Sequence, residues 1–178
     1  MLFPEDKMRH TAQAILCTIA FFGVLSPVIA PMARVSGKYD LHLFPKDDAV
    51  TYNPSQLQKD SQNLHIATGV LLAFGVLFNF ANLALRTRAA DRSLALASYF
   101  TVLLSSALYF AAVGTLISLV HHVKDNLDKI PIPIPDVHVE PAAGTYLDGL
   151  GLLAAFSGSV LSMYALFVGR RSNYQELA

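Results

Sequence analysis

The sequence predicts an all-α membrane protein, a four-transmembrane-helix bundle carrying a small extracellular β-hairpin or sheet. Composition is the first observation behind this. Of 178 residues, 53% are hydrophobic and 15% charged, with a mean hydropathy of +0.44. An ordinary soluble domain carries about 25% charged residues, so this chain lacks the charge to coat a globular surface. The second observation is where the charges are missing: stretches 11–33, 61–85, 93–123 and 149–169 contain no Asp, Glu, Lys or Arg. A hydrocarbon core of about 30 Å takes roughly 20 helical residues, so each stretch is long enough to cross it. The third is a period-two pattern between the first two stretches, which is a strand signal rather than a helix signal.

Taken in order, these define one domain, 1–178, with spans at about 11–33, 61–85, 93–123 and 145–169 and outer loops at 34–60 and 124–144. Lys7 and Arg9 precede the first span much as in a signal peptide, but its apolar run is too long and Pro31 follows Ala30, so it is read as a retained helix. Pro27 and Pro31 should bend or end that helix, because proline removes a backbone donor and clashes with the preceding turn. Arg86, Arg88 and Arg92 crowd the second connection, and Arg170 and Arg171 follow the fourth span. Basic residues concentrate on the cytoplasmic side, so both termini and the short connection are expected there. The zero net charge then divides into seven basic and four acidic residues inside and six basic and nine acidic outside.

In the first outer loop Tyr39, Leu41 and Leu43 alternate with Asp40 and His42, and the alternation resumes at Val50 and Tyr52 after 45–48. This predicts a hairpin turning at 45–48. In the second, Ile130, Ile132 and Ile134 alternate with Pro131, Pro133 and Pro135, which suits an extended edge strand or polyproline segment on the hairpin, or a plain connector.

Helix association is expected through small residues, which let backbones approach where lipid supplies little hydrophobic drive. The fourth span has two rows at four-residue spacing, Gly151, Ala155, Ser159 and Ala154, Gly158, Ser162, and the third adds Ala107, Ala111 and Thr115. Either row serves helix packing within the bundle or an oligomer interface. Asn79 and Asn82 share a face of the second span and are expected to bond a neighbouring helix or the loop backbone.

Balanced charge excludes a nucleic-acid binder driven by counterion release, and a lone cysteine, Cys17, excludes an intrachain disulfide framework. No P-loop, dinucleotide fingerprint, HExxH helix or nucleophile elbow occurs. No charged residue falls near a span midplane, which argues against a proton-coupled pump. The chain is therefore read as not an enzyme, with no catalytic residue, no metal site and no cofactor. The one alternative involves His65, in the first turn of the second span, and His121 and His122, in the last turns of the antiparallel third. Facing imidazoles in a bundle core can ligate a b-type haem, and His42 or His138 could join a zinc or copper site.

Two segments, LSPVIAPMARVSGKYDLHLF at 25–44 and GTLISLVHHVKDNLDK at 114–129, together with the loop layout, give the resemblance. The chain resembles the claudin-type tetraspan arrangement, and more narrowly the fungal plasma-membrane family of the PalI pH-response regulator and the eisosome-associated Sur proteins. It departs from claudins in lacking a Trp and a cysteine pair in the first outer loop, and from PalI proteins in the nine residues after the fourth span. The resemblance implies a plasma-membrane scaffold of a fungus that organises a membrane domain or senses stress at the cell surface. Its partners would be membrane lipids, further copies in a homo-oligomer, or other membrane proteins, and no nucleic acid. The other readings are a haem-binding electron-transfer subunit, using His65 with His121 or His122, and an oligomeric pore or accessory subunit of a larger complex.

Overall fold

The computed structural model describes residues 4–35, 39–44, 55–84, 88–127 and 139–175. Four helices, α1 (Pro4–Ile29), α2 (Gln56–Ala84), α3 (Arg88–Leu127) and α4 (Ala143–Gln175), alternate with three short strands, β1 (Ala33–Val35), β2 (Tyr39–Leu41) and β3 (Val139–Pro141). The stretches Met8–Ile29, Gln56–Ala84, Ser93–Asp125 and Ala143–Phe167 are long and apolar enough to cross a membrane. The predicted four-helix membrane bundle is thus the fold of the chain. α1 packs on α2 and α4, and α3 on the same two helices, so α1 and α3 stand diagonally opposed.

The burial pattern is that of a protein whose solvent is hydrocarbon. Phe22, Leu77, Phe100, Leu153 and Phe167 face outward, while Gln13, Thr68, Asn79, Ser105 and Ser162 are buried. In lipid an outward apolar side chain costs nothing, whereas a polar group must find its partner inside. The central core is made of Ala20, Val24, Leu72, Tyr109, Ala112, Ala154 and Ala155. A second cluster, Met32, Ala33, Leu43, Leu116 and Leu119, lies under the strands.

Both small-residue rows of α4 are consumed by this packing: Gly151, Ala154, Ala155, Gly158, Ser159 and Ser162 are all buried. The tightest point is where Gly151 meets Gly23 of α1. A Cβ on Gly23 would lie 2.9 Å from the Tyr109 hydroxyl and 3.0 Å from the Gly151 nitrogen, so the two backbones touch only because neither residue has a side chain. The row on α3 behaves differently, with Ala107 and Ala111 exposed and Thr115 half-buried.

Exposed tyrosines mark both ends of the apolar stretch of α4, Tyr146 and Tyr164. They are 18 residues apart, about 27 Å at 1.5 Å per residue, which matches a hydrocarbon core of about 30 Å between two interfacial aromatic positions. Arg9 stacks over the Tyr164 ring at 5.8 Å, placing a cation at the end opposite the strands.

The sheet has the order β2-β1-β3, all antiparallel. The small sheet expected from the sequence is present, and its hairpin joins Ala33–Val35 to Tyr39–Leu41. Read from the sequence, the first span runs on to residue 33, which hides β1. The expected turn at 45–48, the pair Val50 and Tyr52, and the Ile–Pro alternation of 130–135 lie outside the described residues. The second outer loop reaches the sheet instead through Val139–Pro141. Arg34 sits opposite Asp40 on one side and Glu140 on the other. Its Nε donates to Asp40 Oδ1 at 2.9 Å, and this bond, with the charges of both carboxylates, holds the guanidinium above its ordinary range.

Helix α2 starts at Gln56, five residues before its charge-free stretch, because Ser55 caps it: its Oγ accepts from the Gln58 amide at 3.3 Å and its carbonyl from the same amide at 3.0 Å. Gly151→Val is expected to destabilise the chain by about 3 kcal/mol through overpacking, whereas Gly149→Val, which meets open space, is expected to be tolerated. The melting midpoint of the detergent-solubilised protein separates the two.

Candidate functional site: a buried histidine–aspartate pair

Helix α4 begins at Ala143, two residues before the span read from the sequence, so Asp148 lies in its second turn. It is wholly buried, and its Oδ2 lies 3.2 Å from Nε2 of His65, each side chain being 1% exposed. The fourth charge-free stretch starts just past Asp148, so the sequence reading assigns this residue no role. A signal was present: Asp148, Gly151, Ala155, Gly158 and Ser162 recur at intervals of three and four, so the aspartate continues the small-residue face that turns inward.

Three helices fix the pair. On α2, Ser61, His65 and Thr68 share the buried face, and His65 Nδ1 lies 2.7 Å from the Ser61 carbonyl oxygen. From α3, the Tyr109 hydroxyl donates to the Asp148 carbonyl at 3.0 Å. One turn ahead on α4, the Ser26 hydroxyl of α1 donates to the Gly144 carbonyl at 2.9 Å. Residues 144–151 are thus where all four helices meet.

The hydrogen-bond geometry determines the protonation of the pair. A backbone carbonyl only accepts, so Nδ1 of His65 carries a hydrogen. Nε2 of a neutral ring would then present a lone pair to an ionised carboxylate oxygen, which also only accepts. Two acceptors do not bond, so the contact at 3.2 Å requires one further proton. It resides either on the ring, giving imidazolium and carboxylate, or on the acid, giving two neutral groups. Either way the pair is neutral as a unit, which burial demands.

This arrangement differs from a hydrolytic dyad. There the histidine offers one ring nitrogen to its orienting carboxylate and the other to a nucleophile. Here the second nitrogen is committed to the backbone of its own helix. Asp148 Oδ1, Ser61 Oγ and Thr68 Oγ1 are buried with no partner among the described residues.

The other histidines are elsewhere. His121 and His122 are exposed on α3 and, with Leu57, Ile117, Ser118 and Asp125, line an open pocket of about 440 Å³. The expectation that one of them faces His65 across the bundle is corrected: Asp148 occupies the place beside the imidazole, because α4 inserts its first turns there. His42 is half-buried, and His138 lies outside the described residues. Among the described residues no three His, Cys, Asp or Glu side chains are grouped to hold a metal ion.

At the opposite end, Gln13 donates to the Ser162 hydroxyl at 2.6 Å and Asn79 to the Gly75 carbonyl at 2.8 Å. The Asn79 amide also lies 3.6 Å from the sulfur of Cys17, a buried free thiol. The expected bond to a neighbouring helix is thus made by Asn79, while Asn82 is buried with its amide lacking a partner among the described residues.

The sequence matches no family model and no curated protein. The chemistry of the site itself is therefore the guide to its role.

His65→Phe should cost about 3–5 kcal/mol, because it strands a buried carboxylate. Asp148→Asn should cost only about 1 kcal/mol, since the new amide can donate to the Nε2 lone pair that the Ser61 carbonyl leaves available. Melting of both variants in detergent checks the order; a reversed order would mean that the hydrogen sits on Nε2.

Proposed function

We propose that the chain is a non-enzymatic tetraspan membrane protein that works by lateral assembly, organising a domain of the plasma membrane or sensing stress at the cell surface, with both termini cytoplasmic. Supporting the non-enzymatic reading, the His65–Asp148 pair has both imidazole nitrogens committed and is sealed among four helices. Supporting the orientation, Lys7, Arg9, Arg86, Arg88, Arg92, Arg170 and Arg171 all fall in the terminal segments and the short second connection, whereas the strands belong to the long loops. The likeness to the fungal PalI and Sur family and to claudins agrees with a sheet built from both outer loops.

The observation that carries lateral assembly is the outward face of α3. Ala107, Ala111, Gly114 and Ser118 recur at intervals of four, three and four, all exposed, and a Cβ on Gly114 would meet nothing within 4 Å. Small residues at this spacing let a second helix approach closely. With both α4 rows taken up by packing within the bundle, the outward face of α3 is the small-residue face left for assembly.

Gly114→Leu should convert the oligomer to monomer in native mass measurements while leaving the melting midpoint unchanged. Gly158→Leu should lower the midpoint, because Val102 Cγ1 already lies 3.4 Å from a Cβ at that position. A wild-type chain that is strictly monomeric in lipid nanodiscs overturns the proposal.

A further inference from the structure

The open pocket at the sheet end of α3 has no part in the His65–Asp148 pair and shares only Ser118 with the small-residue face. It is a shallow, open depression of about 440 Å³. Leu57 of α2 and Ile117 of α3 give it an apolar side, and Ser118, His121, His122 and Asp125 a polar one. The candidate span Ser93–Asp125 has 33 residues, about 50 Å of helix, which exceeds a hydrocarbon core of about 30 Å and leaves its charged end free to stand outside that core. A cleft that is apolar toward the lipid and polar toward the water fits a membrane lipid better than a soluble metabolite.

The polar groups narrow the class of lipid. Imidazole N–H groups donate to phosphate oxygens, while the Asp125 carboxylate repels phosphate and attracts an ammonium. His121 and Asp125 are one turn apart on the same exposed face, a rise of about 6 Å. That is the scale of separation between the phosphate and the amine of an ethanolamine head, whose primary ammonium also donates hydrogen bonds that a trimethylated one lacks.

We propose that the cleft between the start of α2 and the end of α3 binds one phosphatidylethanolamine, its phosphate on His121, its ammonium on Asp125, and its chains descending past Leu57 and Ile117. This goes beyond lateral assembly and does not rest on it.

The test is native mass spectrometry of the delipidated full chain, titrated with dioleoyl phosphatidylethanolamine, phosphatidylcholine and phosphatidylglycerol. One phosphatidylethanolamine per chain should bind at least about fivefold more tightly than either other lipid. Asp125→Asn should abolish that preference, and His121→Ala should weaken binding of all three. Both residues are exposed, so circular dichroism of the variants should match the wild type. Equal binding of phosphatidylglycerol, or retention unchanged in both variants, overturns the proposal. Oligomeric mass in the same spectra reports on assembly separately from lipid retention.

Discussion

A carboxylate inside a bundle bathed in hydrocarbon must be neutralised where it stands, and the packing of this chain is organised around that requirement at Asp148. The compensating proton is shared with His65 of α2, the backbone of the same residue is held by Tyr109 of α3, and one turn later Gly151 lets α1 come into contact. The cost of burying the acid is met by contacts that also bring the helices together. Moving any one helix would leave a polar atom without its partner in a medium with no water to replace it.

The interior is stratified accordingly. A polar layer around Ser61, His65 and Asp148 lies toward the sheet, an apolar layer around Val24, Leu72 and Tyr109 follows, and Gln13, Cys17, Asn79 and Ser162 make a second polar layer near the other end. Hydrogen bonds within each polar layer are directional and set the register between helices, while the alanines and glycines between them set the distance. Buried amides and hydroxyls therefore do here what large interdigitating side chains do in a water-soluble core.

The four helices were legible because an apolar run of about 20 residues without a charge is longer than a buried strand or core helix and suits a membrane crossing. Helix ends were less legible for a related reason: the absence of charge marks what hydrocarbon will accept, not what is helical, so residues 56–60 and 143–148 fell outside the charge-free stretches. Asp148 was missed on that account although its spacing matched the inward face of α4. Spacing also could not say which small-residue face is used within the bundle. The rows of α4 and α3 look alike in sequence, and only the tertiary arrangement shows the first buried and the second outward. The β1–β2 hairpin was missed because the first span was read on to residue 33, whereas α1 stops at Ile29, two residues before Pro31, and Ala33–Val35 become the central strand.

The order of that sheet has a mechanical consequence. Because β1 follows α1 and β3 precedes α4, these two helices are stitched at one end by backbone hydrogen bonds, and α2 is tied to the same end by Gln58 and Gln62, which both donate to the Leu43 carbonyl. The opposite end is held by side chains instead, Gln13 donating to Ser162 and Arg9 lying over Tyr164. A pull on either outer loop is therefore passed to α1, α2 and α4 together, as through a shared handle.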